Sequence, residues 1–92
     1  MAKFLMLGKY SSEALKGISA QRTQRSVELI EKSGGKVNLI LALLGKYDVM
    51  LLVDFPGNAE AIKASIALTK LTGVGFTTLP AITVEEFDKL IG

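Results

Sequence analysis

Three stretches of this 92-residue sequence contain runs of consecutive apolar residues rather than apolar residues at every second position, namely residues 3–10, 36–44 and 47–55. A β-strand with one face in water alternates apolar and polar residues, because successive side chains point to opposite faces. These stretches instead place apolar side chains on both faces. A chain built from them must cover both sides of its sheet, and this requirement constrains the fold and the assembly together.

Two helices are predicted between the strands. Residues 20–32 carry apolar side chains at helical spacing, and Ser19 precedes them as a suitable N-cap. Residues 58–72 predict a second helix that Asn58 caps and Gly73 ends. This second helix has only one narrow polar stripe, so we expect it to contact more than one neighbour.

The segments after the second helix predict a strand and a short helix. Residues 74–82 form an apolar strand, and Pro80 predicts a sheet edge because proline donates no hydrogen bond to a neighbouring strand. Residues 83–86, Thr-Val-Glu-Glu, are a capping box that opens a last helix. Between the second and third strands, Gly45-Lys46 predicts a two-residue hairpin turn.

The resulting order, β-α-β-β-α-β with a short last helix, is the split-βαβ pattern of ferredoxin-like folds. Right-handed crossovers then predict one α+β domain, residues 1–92, with an antiparallel sheet of order 4-1-3-2. Both main helices cover one face of this sheet, and the other face is open. Strict alternation along the second strand places Val37 on the same side as Leu39 and Leu41.

The open face predicts self-association. Monomers rarely expose contiguous apolar patches larger than a few hundred Å². We therefore expect a homodimer or a higher homo-oligomer that forms through the open sheet face.

Composition excludes several classes of function. The sequence contains no cysteine and no histidine, which excludes disulfides, thiol nucleophiles, Ser-His-Asp triads and the usual zinc sites. We expect no metal and no cofactor. The net charge is +2 and the basic residues are scattered, so no nucleic acid or membrane partner is predicted. No export signal is visible and the longest apolar run has six residues, so we expect a cytoplasmic protein.

One edge of the predicted sheet gathers polar side chains. The end of strand one and the start of strand three meet there, and Arg22 or Arg25 can reach this edge if the first helix is suitably rotated. The candidate ligand-binding residues are Tyr10, Ser11, Arg25, Lys46, Tyr47 and Asp48. Phenols, a carboxylate and cationic groups together suit a small polar or anionic ligand. Alternatively, Tyr47 and Asp48 serve only the turn, Tyr10 lies at the rim of the core, and the arginines lie on a solvated face.

The hairpin motif Gly45-Lys46-Tyr47-Asp48 resembles the signature of the GYD-domain family of small bacterial and archaeal proteins. The resemblance extends over nearly the whole chain. It includes Arg25, Gly34-Gly35-Lys36, Asp54-Phe55-Pro56, Thr78-Leu79-Pro80-Ala81 and Thr83-Val84-Glu85-Glu86-Phe87. It implies a ferredoxin-like fold of the dimeric α/β-barrel kind and brings no catalytic residue.

Two functions are compatible with these features. The first is a homo-oligomeric module that binds a small ligand or a protein partner. The second is a cofactor-independent enzyme of the dimeric barrel type, an isomerase or a monooxygenase-like enzyme for a small aromatic or keto substrate. In the enzyme, Tyr10 or Tyr47 would act as acid or oxyanion donor and Asp48 as base. An enclosed pocket that holds both Tyr10 and an unpaired Asp48 would favour the enzyme.

Overall fold

The chain forms four strands and four helices, and a computed structural model describes all of its residues, 1–92. In chain order the elements are β1 (Ala2–Lys9), α1 (Ser12–Lys16), α2 (Ala20–Lys32), β2 (Lys36–Ala42), β3 (Val49–Phe55), α3 (Asn58–Thr72), β4 (Gly75–Ala81) and α4 (Val84–Ile91). The strands form one antiparallel sheet of order β2-β3-β1-β4. This order confirms the predicted ferredoxin-like α+β fold.

The core lies between one face of the sheet and the two long helices. Strands β1 and β3 contribute every second side chain to the core, because successive side chains of a strand point to opposite faces. Helices α2 and α3 contribute the side chains that pack against them. The buried cluster comprises Phe4, Met6, Ile30, Leu51, Val53, Phe55, Ala61, Ala64 and Leu68. At its centre the rings of Phe4 and Phe55 meet edge to face, with centroids 5.7 Å apart.

The opposite face of the sheet is open and apolar. The strand register aligns Leu5 with Leu52 and Leu79, and Leu39 pairs with Leu52 on the far side. We call the residues of this face the open-face cluster: Leu5, Leu7, Leu39, Leu41, Met50, Leu52, Thr77 and Leu79. Its leucines on the two edge strands, Leu39, Leu41 and Leu79, are each 44% exposed. The sheet is therefore apolar on both faces, as the sequence predicts.

The prediction of strict alternation in β2 is wrong, because a β-bulge interrupts the strand between Val37 and Leu39. Val37 lies opposite Val53 on the helix-covered face, whereas Leu39 lies opposite Leu52 on the open face. The extra residue is Asn38. A bulge places one additional residue on one strand, so the side chains beyond it change faces relative to those before it.

The connection between β2 and β3 is wider than the predicted two-residue turn. The backbone N–H of Leu43 donates to the carbonyl of Asp48 at 2.9 Å, and residues 44–47 form the loop beyond this pair. Gly45 has φ of +132°, a conformation that favours glycine, and Leu44 is fully exposed. The loop therefore projects from the sheet.

The helix ends follow the predicted chemistry with one exception. Ser19 accepts the N–H of Arg22 at 3.0 Å, and Gly73 ends α3 in the left-handed region with φ of +75°. The exception is Asn58, which is the first residue of α3 rather than its cap. Gly57 occupies the cap position without a side-chain hydrogen bond.

The sequence pattern does not predict helix α1, although the residues that form it carry a start signal. Ser11 accepts the N–H of Ala14 at 3.0 Å and caps the helix, and Ala14 is buried. The segment is only one turn long, so the sequence shows little periodicity there.

Helix α4 begins at the predicted capping box, where Thr83 accepts the N–H of Glu86 at 3.1 Å. None of its residues is buried. Its four apolar side chains, Val84, Phe87, Leu90 and Ile91, are 51% to 74% exposed. No helix of the chain combines the length and the apolar character needed to cross a bilayer.

Candidate functional site

The predicted polar edge forms where β1 ends and β3 begins. The backbone N–H of Tyr10 donates to Oδ2 of Asp48 at 2.8 Å, and the N–H of Asp48 donates to the carbonyl of Gly8 at 2.8 Å. The Lys9 ammonium donates to the carbonyl of Lys46 at 3.1 Å. Asp48 therefore connects the strand ends through its backbone and its side chain, and its carboxylate is paired with a backbone amide.

Ser11 connects the same edge to the end of α3. Its hydroxyl accepts the N–H of Ala14 and donates to the carbonyl of Gly73 at 3.4 Å. Both functions of the hydroxyl are occupied within the chain. Ser11 thus holds β1, α1 and α3 together at this end of the sheet.

Lys46 and Tyr47 lie in the projecting β2–β3 loop. The Lys46 ammonium lies 5.8 Å from the centroid of the Tyr47 ring, within the range of a cation–π contact. Neither residue lines a cavity of the chain.

A small cavity of about 60 Å³ lies between α2, α3 and the sheet, next to this edge. Its floor is apolar and includes Leu51, Leu68 and Val74. Tyr10 and Arg22 also line it. We call this cavity the Tyr10–Arg22 pocket.

Arg22 is the one charged residue that lines the Tyr10–Arg22 pocket. Its guanidinium carbon lies 5.7 Å from the Tyr10 ring centroid, and one guanidinium nitrogen donates to the carbonyl of Ala14. A guanidinium carries five N–H donors, so several remain available. The Tyr10 hydroxyl makes no hydrogen bond within the chain and adds another donor.

The other hydroxyls of the pocket donate inward to their own helices. Ser26 donates to the carbonyl of Arg22 at 2.8 Å, and Thr72 donates to the carbonyl of Leu68 at 2.7 Å. No carboxylate lines the pocket. The donors that a ligand would meet are therefore those of Arg22 and Tyr10, and this arrangement suits a group that accepts hydrogen bonds and carries negative charge.

The predicted site residues do not all meet in this pocket. Tyr10 lines it, while Asp48 and Ser11 lie beside it in structural hydrogen bonds. Arg25 lies elsewhere, in an open groove between α2 and α3 that Lys32 and Lys63 also line. Arg22 therefore reaches the polar edge, for which the sequence allowed either Arg22 or Arg25.

The opposite edge of the sheet holds one structural ion pair. Asn38 donates from Nδ2 to Asp54 Oδ2 at 3.1 Å, and the Lys3 ammonium lies 3.3 Å from Oδ1 of the same carboxylate. The Asn38 hydrogen bond is the main cause that lowers the pKa of Asp54; partial burial opposes it, and Lys3 reinforces it. Asn38, Asp54 and Lys3 thus form one polar end of the open face. No three His, Cys, Asp or Glu side chains lie close enough together to hold a metal ion.

The model of the GYD domain family matches residues 4–91, which is almost the whole chain. The chain belongs to the GYD domain family. In this GYD domain the Gly-x-Tyr-Asp motif has a structural explanation, because Gly45 adopts a positive φ in the loop and Asp48 connects β3 to β1. A comparison with curated proteins finds no match, so no activity is transferred to the chain.

Proposed function

We propose that this GYD domain is a self-associating ligand-binding module, in which two copies pack their open sheet faces together. The observation that carries the proposal is the open-face cluster, a contiguous apolar surface that spans all four strands. Packing of this kind gives a dimeric α/β barrel. The polar ends of the face, around Asp54 and Asp48, then lie at the rim of the interface.

The size of the face supports association. Four strands about 4.8 Å apart, with about seven residues each at about 3.3 Å per residue, give a footprint of ~440 Å² per copy. At ~25 cal/mol per Å², covering both faces contributes ~22 kcal/mol before the costs of association and ordering, which offset most of it. A surface of this size lies within the range of about 300–600 Å² for the largest apolar patch of a typical monomer, and such patches often serve a function.

Nuclear Overhauser effects between copies test the face directly. We expect a sample that mixes methyl-labelled and unlabelled chains to show intermolecular contacts at Leu39, Leu52 and Leu79. The methyl group of Ala20, on the first turn of α2, serves as the control and gives none. Intermolecular contacts confined to the helix surfaces would contradict the proposal.

The Tyr10–Arg22 pocket supports a second part of the proposal, binding of a small organic anion. Its apolar floor would receive a short carbon chain, while Arg22 and Tyr10 donate to the carboxylate. The volume limits the ligand to a few non-hydrogen atoms, such as a short-chain carboxylate. Binding is favoured over catalysis because Asp48, the base of the enzyme hypothesis, pairs with the Tyr10 amide and does not line the pocket.

Titration with butyrate tests the anion site, with butanol as a neutral probe of the same length. We expect saturable amide shifts at Tyr10 and Val74 with butyrate and not with butanol. Arg22→Gln should weaken binding at least ~10-fold, in line with loss of a charged hydrogen bond. Arg25→Gln removes the same charge outside the pocket and should preserve binding. Equal effects of the two variants, or of the two probes, would contradict an anion site.

A further inference from the structure

We propose that helix α4 of one copy docks into the groove between α3 and β4 of a second copy, and that the exchange is reciprocal. The inference rests on the proposed self-association and adds a second contact to it. It assigns a role to two further apolar surfaces that packing of the open sheet faces leaves exposed. We call α4 the arm and the cavity between α3 and β4 the groove.

The arm is a helix whose apolar side chains are all exposed within its own copy. Val84, Phe87, Leu90 and Ile91 follow helical spacing, so they form one stripe along it. None of these side chains is buried, although together they carry much of the apolar surface of the helix. Short helices draw most of their stability from packing of an apolar face. The arm therefore lacks, within its own copy, the apolar contact from which short helices draw their stability.

The groove has the complementary chemistry. It has a volume of about 300 Å³, and Phe4, Ile62, Ile66, Phe76 and Pro80 are among the residues that line it. Ile62 is 60% and Ile66 is 55% exposed. No charged residue lines the groove.

The two hydroxyls in the groove are already paired. Ser65 donates to the carbonyl of Ala61 at 2.8 Å, and its oxygen lies 2.7 Å from the hydroxyl oxygen of Thr78. Covering these hydroxyls with an apolar helix leaves neither without a partner, so their desolvation adds little to the cost of docking. The remaining polar residue of the groove, Asn58, is exposed at the start of α3.

Charge favours the same pairing. The arm carries three acidic residues and one lysine, whereas residues 1–83 carry ten basic and six acidic residues. The arm is thus −2 and the remainder of the chain is +4. On α3, Lys63 and Lys70 precede and follow Ile66 by three and four positions, which places them beside it on the helix surface. Glu86 and Asp88 border the apolar stripe on its two sides, so an arm whose stripe contacts Ile66 places these carboxylates at the margins of the contact.

The interface area explains why the occupant is a second copy of this chain. Stable specific interfaces bury about 1,200–2,000 Å² in total, and the two sheet faces have a combined footprint of only ~880 Å². An eight-residue helix is ~12 Å long and ~10 Å wide, so two docked arms and their grooves add ~480 Å². The sum reaches the range of stable dimers. Within one copy the arm leaves the groove uncovered, since Ile62 and Ile66 remain exposed.

Disulfide trapping tests the exchange. No native thiol can form competing disulfides, because the chain contains no cysteine. Separate samples of Ile66→Cys and Leu90→Cys are mixed and oxidised mildly. We expect a disulfide-linked heterodimer in several-fold excess over the control mixture of Lys16→Cys with Leu90→Cys. Lys16 is exposed on α1. Equal yields in the two mixtures would overturn the proposal.

A chain that carries both Ile66→Cys and Leu90→Cys separates exchange from folding back. We expect linked dimers from it. A linked monomer would show that the arm folds onto its own groove, and it would overturn the exchange. Sedimentation of the unmodified chain separates this inference from the proposed function. If the unmodified chain is a dimer but gives no excess of linked heterodimer, docking of the arm is refuted and packing of the open faces is not. If the unmodified chain is a monomer, both proposals are refuted.

Discussion

Leu52→Lys is the substitution that separates association from folding most sharply. Leu52 lies on a central strand in the middle of the open-face cluster, with Leu5 and Leu39 as its cross-strand neighbours. In a single copy this side chain faces outward, so a lysine there keeps the fold. In the proposed dimer, two lysines related by symmetry lie between the sheets.

The magnitude follows from burial. Each copy loses about 0.5–1 kcal/mol of leucine contact, because Leu52 is already partly covered by its neighbours. Enclosing an unpaired ammonium costs several kcal/mol for each copy. A total of about 5 kcal/mol or more raises the dimer dissociation constant by ~10³- to 10⁴-fold. Sedimentation velocity over a wide range of protein concentration measures this change.

Gln21→Lys is the matched control, because it makes the substitution to lysine on the exposed surface of α2. We expect it to leave the dissociation constant unchanged. Circular dichroism and thermal unfolding verify that both variants are folded. A folded Leu52→Lys variant that dimerises as tightly as the unmodified chain would refute packing through the open face.

Substitutions at three further positions test contacts within one copy. Gly8→Ala should lower the free energy of unfolding by about 1–3 kcal/mol in urea, because a Cβ would lie 2.6 Å from Val49 Cγ1; an unchanged value would contradict this packing. Asp48→Ala should cost about 1–2 kcal/mol, since the Tyr10 amide loses its acceptor, and Asp48→Asn should cost less. Asp54 has a lowered pKa in the folded chain, so its stabilising contribution is complete above the ordinary pKa of about 3.9 and is lost as the pH falls through the lowered value. Urea unfolding of Asp54→Asn should therefore depend less on pH in this acidic range, and an identical pH profile would argue against it.

The sheet order and the two-sided apolar sheet could be predicted because both depend on patterns that span many residues. The order follows from the sequence of strands and helices together with right-handed crossovers. The residues of β1 and β3 that face the helices could be predicted from the regular alternation of side-chain direction along a strand. The face of β2 could not be predicted, because one extra residue at Asn38 reverses the pattern and the preceding residues carry no strong bulge signal.

The candidate site could be predicted from the sequence only in part. The meeting of Tyr10 and Asp48 at one edge follows from the antiparallel pairing of β1 with β3. Which of Arg22 and Arg25 reaches this edge could not be predicted, because it depends on how α2 is rotated about its axis. Burial of Ile30 fixes that rotation, which places Arg22 beside Tyr10 and Arg25 over α3. Only the packed structure reveals this.

Sedimentation equilibrium of the unmodified chain tests association through the open face, because it measures mass independently of molecular shape. We expect a species of twice the 9.8 kDa chain mass that persists at low micromolar concentration. A mass of 9.8 kDa at every concentration would contradict it, since the open-face cluster would then lie in water without a partner.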